Sequence, residues 1–182
     1  MFIQTEQTPN PATLKFLPGC TVMEQGTANF TDAAAAAARS PLAERLFALP
    51  EIGGVFLGGD FVTVTKSGDS DWFQLKPAVL AAIMEHFTAG LPVVTGAAES
   101  AAAEGEDNEI VSAIKELLET RVRPAVAQDG GDIIFEDFED GIVYLHMQGS
   151  CSGCPSSTAT LKAGIENMLR HYIPEVVEVR AV

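Results

Sequence analysis

The chain has 182 residues, 47% of them hydrophobic, and carries a formal charge of −14 with a pI near 4.4. That is enough apolar material for one mid-sized domain or two small ones, so the chain is not disordered as a whole. The acidic balance argues against a nucleic-acid partner, because phosphate binding depends on clustered Lys and Arg, and no run of about 18 apolar residues could span a membrane.

Met1–Glu6 has neither the basic start nor the apolar stretch of a signal peptide, which points to a protein not marked for export. Strands are predicted at Phe2–Thr5, Thr13–Phe16, Gly54–Leu57 and Phe61–Thr65, the last two joined as a hairpin through Gly58-Gly59-Asp60. Ser40 before Pro41 reads as a helix N-cap followed by proline at the first helical position, with Leu42, Leu46 and Leu49 on one face of a short helix. A longer helix is predicted from Asp71 to Thr88. Phe73, Val79, Leu80, Ile83, Met84 and Phe87 form its apolar stripe, and Pro77 marks a kink or a late start. After Val94 the chain loses large apolar residues and turns acidic, the composition of a linker.

Past the linker, Ile110, Ile114, Leu117 and Leu118 recur at helical spacing over Glu109–Arg121, a helix limited by Pro124. Gln128–Asp132 is a turn signal. Ile133–Phe138 and Ile142–Met147 flank Glu139-Asp140-Gly141 as a hairpin. Thr158–Tyr172 carries Ala159, Leu161, Ile165, Met168 and Leu169 on one side and is ended by Pro174; Glu175–Arg180 then reads as a last strand. The predicted fold class is α+β: a small α+β domain over residues 1–90, a flexible Ala/Glu-rich linker over 91–107, and a second small α+β domain over 108–182.

Three cysteines, two of them in Cys151-Ser152-Gly153-Cys154, are too few for the disulfide framework of a secreted protein and fit a reducing compartment. Cys20 stands alone and reads as a bystander. Cysteines at i and i+3 can bring both sulfurs to one metal when the residues between them allow a tight turn, and Ser152-Gly153 supplies a small residue and an unrestricted one. Pro155-Ser156 then starts a helix, whose exposed amides should favour thiolate over thiol. Four uses of the pair remain open: a redox dithiol, a zinc site within one chain, a structural pair, and a cluster shared by two chains. Zinc would have to recruit His146, in a strand, or His171, roughly 25 Å along the helix from Cys154. The shared cluster closes the ligand count, because two CxxC loops facing each other across a two-fold axis supply four thiolates.

The segments Arg121-Val122-Arg123-Pro124, Gln128-Asp129-Gly130-Gly131-Asp132 and Gly149-Ser150-Cys151-Ser152-Gly153-Cys154-Pro155-Ser156-Ser157 resemble the C-terminal domain of NifU, as found in Nfu-type iron–sulfur cluster carriers. Gln4-Thr5-Glu6, Thr8-Pro9-Asn10-Pro11, Leu14-Lys15-Phe16, Ser40-Pro41-Leu42-Ala43 and Phe61-Val62-Thr63-Val64 resemble the domain that precedes it in two-domain members. The resemblance implies a carrier, not an enzyme, that binds a 4Fe–4S cluster between two protomers and passes it to apo-proteins. Cys151 and Cys154 are then the cluster and metal ligands. A 2Fe–2S cluster is the other form four thiolates would hold. Implied partners are an upstream cluster scaffold, apo iron–sulfur recipients and a second copy of the chain when loaded, with no nucleic acid and no membrane. The expected compartment is the bacterial cytoplasm, with the mitochondrial matrix as the alternative. The competing expectation is a thiol–disulfide oxidoreductase using the same dithiol. Gly130 and Gly131 match the family's turn, where a backbone at positive φ is the expected reason for glycine.

Overall fold

The computed structural model describes residues 1–95, 109–152 and 155–182, the last stretch with side chains from Thr158 onward. They divide into two units, Met1–Ser100 and Ala101–Val182, each containing helices and a sheet, as the predicted α+β class requires.

In the first unit the hairpin predicted across Gly58-Gly59-Asp60 forms from β4 (Ile52–Leu57) and β5 (Val62–Lys66). Together with β1 (Gln4–Gln7), β2 (Thr13–Leu17) and β3 (Ala28–Phe30) it makes an antiparallel sheet in the order β1-β2-β5-β4-β3. Phe16, Phe30, Val55, Leu57, Val62 and Val64 fill the core under three helices. Helix α1 (Ala33–Arg39) starts where the Asp32 carboxylate accepts the Ala35 N–H at 2.8 Å. Helix α2 (Pro41–Phe47) starts at Ser40, whose hydroxyl accepts the Ala43 N–H at 3.0 Å.

Helix α3 (Trp72–Thr88) matches the predicted span and is capped by Asp71, which accepts the Phe73 N–H at 2.9 Å. Pro77 lies inside it and delays nothing, the helix already being wound at Trp72. The predicted stripe is shifted: Leu75, Val79, Ala82, Ile83 and His86 are buried, while Phe73 is 85% exposed and Met84 41% exposed. Beyond Gly90 the chain continues along this unit as far as Thr95. His86 Nε2 sits 3.1 Å from the Pro92 carbonyl, the Ser40 hydroxyl donates to the Val93 carbonyl, and the Thr95 N–H donates to the Arg39 carbonyl at 2.7 Å. The remainder of the predicted linker lies outside the described residues.

His86 is fully buried and its Nδ1 has no hydrogen-bond partner among the described residues. Burial, helped by the nearby Arg45 charge, pushes its pKa below the ordinary histidine value, against the pull of the Pro92 carbonyl. The unfolded chain therefore takes up a proton before the folded one does, and the stability His86 contributes is complete above the unfolded value and falls as the pH drops through it. Thermal unfolding of the first unit should show a lower midpoint at pH 5 than at pH 8, and His86→Gln should flatten that difference.

The second unit begins with α4 (Glu109–Leu117), which the sequence limits at Pro124. Instead the chain stays helical through a π-turn at Leu118–Val122 into α5 (Arg123–Gln128). The Arg123 N–H reaches back five residues to the Leu118 carbonyl, and this wider winding gives room to the proline ring that follows. The Thr120 hydroxyl donates to the Glu116 carbonyl at 2.7 Å. Strands β6 (Gly131–Glu139) and β7 (Ile142–Gly149) pair antiparallel around Asp140 and Gly141, both at positive φ as a tight hairpin turn demands. After α6 (Pro155–Tyr172), the predicted last strand forms as β8 (Glu178–Ala181) and pairs parallel to β7, closing a β-loop-α-β unit beside the antiparallel β6. Ile114, Leu118, Val122, Ile133, Val143, Leu145, Ile165 and Leu169 make its core.

Candidate metal centre

The sheet of the second unit delivers Cys151 to the start of its longest helix. Gly131, first in β6, is paired with Gly149, last in β7. Gly149 turns at φ +64°, Ser152 N–H donates to the Gly149 carbonyl at 3.1 Å, and the chain enters α6 at Pro155. From inside α6 the Thr158 hydroxyl donates back to the Cys151 carbonyl at 3.2 Å. Ser150, itself 2% exposed, gives its hydroxyl to the Asp129 carbonyl, and its N–H to the Gly130 carbonyl at 3.2 Å. The turn before β6 and the loop after β7 are thus tied together at Ser150, the residue before Cys151.

The two glycines of that turn act differently. Gly130 sits at φ +79°, the conformation expected from the sequence. Gly131 does not share it. A Cβ there would overlap the Cys151 sulfur and come within 3.0 Å of both the Cys151 nitrogen and the Gln148 carbonyl oxygen, so glycine is required by the approach of the cysteine. That cradle is a fit between the β6 start and the thiol that no local turn rule reveals.

The β6 start is pinned in turn by Arg123. Its Nε and Nη2 each donate at 2.9 Å to one oxygen of Asp132, which is 3% exposed, and its Nη1 donates to Glu119 at 2.7 Å. The Asp132 hydrogen bonds, with Glu119 adding to them, raise the Arg123 pKa further above its already high ordinary value. A planar fork on a buried carboxylate is the strong form of such a pair. The π-turn places Arg123 at the head of α5, and the same helix leads into the Asp129-Gly130 turn.

Cys151 is 7% exposed, its sulfur within the core of the unit. The thiolate expected at a helix N-terminus is reversed here: loss of water, reinforced by Asp129 and Asp132, pushes the Cys151 thiol up to about 11, with only the Ser150 hydroxyl pulling it down. In a Cys20→Ser/Cys154→Ser chain, alkylation of Cys151 by iodoacetamide should therefore keep rising about tenfold per pH unit well past pH 9, because the thiolate is the nucleophile. A plateau near pH 8.5 would show an unburied thiol.

Cys154 lies outside the described residues. His146 is in β7 opposite Ile134, and the exposed His171 lies in the last turn of α6 with its ring 5.0 Å from that of Tyr172, so neither accompanies Cys151. Cys20 belongs to the first unit. Among the described residues, no three His, Cys, Asp or Glu side chains gather as a metal site.

The chain thus joins two small α+β domains, the second of which holds a CxxC cysteine between a strand end and a helix start. Family models agree: one described as scaffold protein Nfu/NifU N terminal matches residues 3–90, and one described as NifU-like domain matches residues 114–180. The human protein named NFU1 iron-sulfur cluster scaffold homolog, mitochondrial, is 55% identical over 184 residues, which cover 100% of this chain and 72% of that protein. The protein of the same name from Drosophila virilis is 52% identical over 184 residues, 100% of this chain and 62% of its own, so the chain spans less than two thirds of that relative. A solution structure of a NifU-like protein from Saccharomyces cerevisiae superposes with a TM-score of 0.48 at 23% identity, covering 53% of this chain and 87% of that one. The chain belongs to the Nfu family of scaffold proteins.

Proposed function

We propose that this chain is an iron–sulfur cluster carrier: two copies hold one 4Fe–4S cluster through Cys151 and Cys154 of each, and pass it to apo-proteins. The observation that carries the reading is the position of Cys151, delivered by β7 to the start of α6 and cradled by Gly131, in a chain 55% identical to a human protein named as an iron–sulfur cluster scaffold. Half a ligand set per chain makes the site complete only in a pair, and a site completed by a second copy can be opened by parting the copies. The start of α6 would offer amide dipoles to a cluster held there, which suit a centre made anionic by four thiolates. Loading releases the Cys151 proton, since thiolate and not thiol ligates iron.

The chain acts as a carrier and not as a catalyst. A thiol–disulfide oxidoreductase is disfavoured by the same buried thiol, because the best attacking thiol has a pKa near ambient pH and Cys151 is pushed up to about 11. The human and fly relatives are named mitochondrial, which supports the mitochondrial matrix over the bacterial cytoplasm. No helix among the described residues is long and apolar enough to cross a membrane. Upstream scaffold and apo iron–sulfur recipients are the partners this role requires, and the first unit, which contributes no ligand, is the part free to select among them.

The test is transfer. The chain, reconstituted anaerobically with iron and sulfide, is mixed with an apo form of a 4Fe–4S enzyme and a chelator in excess. Activation of the recipient faster than free iron and sulfide achieve it is the expected result; activation at the free-iron rate would overturn the reading.

A further inference from the structure

We propose that the cluster-free chain holds Cys151 in a withdrawn position, its sulfur packed against Gly131, and that this withdrawal competes with cluster binding and so favours hand-over. The inference rests on the carrier reading and adds to it a reason for the cluster to leave.

Two contacts touch Cys151 itself, and two more brace the backbone beside it. Gly131 leaves no room for a Cβ because the Cys151 sulfur occupies it. The Thr158 hydroxyl holds the Cys151 carbonyl at 3.2 Å, and the Ser150 hydroxyl, one residue earlier, holds the Asp129 carbonyl. The Arg123 fork on Asp132 fixes the β6 start that carries Gly131. Cys151, 7% exposed and part of the buried core of this unit, cannot in this position also meet a cluster shared with a second chain, so ligation requires it to leave this nest.

A ligand that binds a minor conformer is weakened by the fraction of that conformer, so every contact that stabilises the withdrawn position lowers the apparent affinity for the cluster by its own factor. On release the recipient's thiolates replace those of the carrier on iron. Each departing Cys151 thiolate takes a proton, matched by the one the recipient's thiol gives up, and the sulfur returns to Gly131. No oxidation or reduction is involved.

Ser150→Ala and Thr158→Val each remove one of the hydrogen bonds while leaving the packing volume nearly unchanged. In a Cys20→Ser/Cys154→Ser background, each should speed N-ethylmaleimide labelling of Cys151 by roughly fivefold, the change in equilibrium expected for one hydrogen bond. In the chain with both CxxC cysteines and a reconstituted cluster, each should slow cluster loss to excess chelator by a comparable factor. Faster labelling with slower loss is the outcome that a merely structural role does not give. Labelling at the parent rate, or faster labelling together with faster cluster loss, would overturn the proposal. A parent chain that takes up no cluster would instead overturn the carrier reading, while the labelling arm still reports whether these bonds hold Cys151. Circular dichroism melts of both variants establish that the second unit is folded.

Discussion

A chain carrying Cys151→Ser and Cys154→Ser will come out of anaerobic reconstitution colourless, with iron falling from about four atoms per two chains to background and no cluster-dependent dimer. Cluster binding is the only contribution this account gives to Cys154, and for Cys151 it adds packing of one small side chain. The double variant should therefore unfold within roughly 1–2 kcal/mol of the parent, the cost of placing a hydroxyl where a buried thiol stood. Iron analysis, size-exclusion chromatography and denaturant titration of the same preparation check all three parts. Iron retained at the parent level would move the centre away from this loop, and loss of the fold would make the pair structural.

Gly131→Ala is the second change with a large effect, and it separates packing from ligation. The added methyl meets the Cys151 sulfur together with the Cys151 nitrogen and the Gln148 carbonyl oxygen, of which the last two are backbone. Backbone cannot swing away as a side chain can, so the β6 start and the loop after β7 must part, at a cost of about 1–3 kcal/mol for overpacking. Removing the sulfur relieves only part of this. In a double-mutant cycle Gly131→Ala with Cys151→Ala should show a coupling of roughly 0.5–1 kcal/mol, leaving the backbone share in place. Gly130→Ala, strained by its φ of +79°, should show no coupling to Cys151→Ala. Equal coupling at both glycines would contradict the cradle.

Much of the second unit was legible because its signals are local. Asp140-Gly141 demands a tight hairpin, Leu161, Ile165 and Leu169 mark one helix face, and the CxxC announces soft ligands before a helix start. What escaped is non-local. Arg123 meets Asp132 only because a π-turn carries the helix past Pro124, and nothing in a proline rule says that the preceding turn will widen to accommodate it. Gly131 looks like the second half of a turn signal, yet its partner is twenty residues away across the hairpin.

The first unit shows the same division. The β4–β5 hairpin and the span of α3 follow from turn chemistry, capping and periodicity. Helix α1 was not foreseen, since its run of alanines has no apolar face to detect and forms on propensity and the Asp32 cap. Strand β3 is three residues long and exists by pairing with β4. Phe73 misled because a large apolar residue in a helical window is counted as core, and here it faces outward beside the Asp71 cap while alanine and histidine take the buried positions. At Cys151 the helix-end rule failed for a related reason: burial, reinforced by two nearby carboxylates, raises the thiol.

The claim on which the rest depends is that one chain is half a site. Native mass spectrometry of the anaerobically reconstituted chain tests it directly, because it reads the number of chains and the inorganic mass together. The account predicts a species of two chains plus one 4Fe–4S core that collapses to bare monomers when the cluster is chelated. A cluster found on a single chain, or a loaded dimer that survives loss of its iron unchanged, would contradict it.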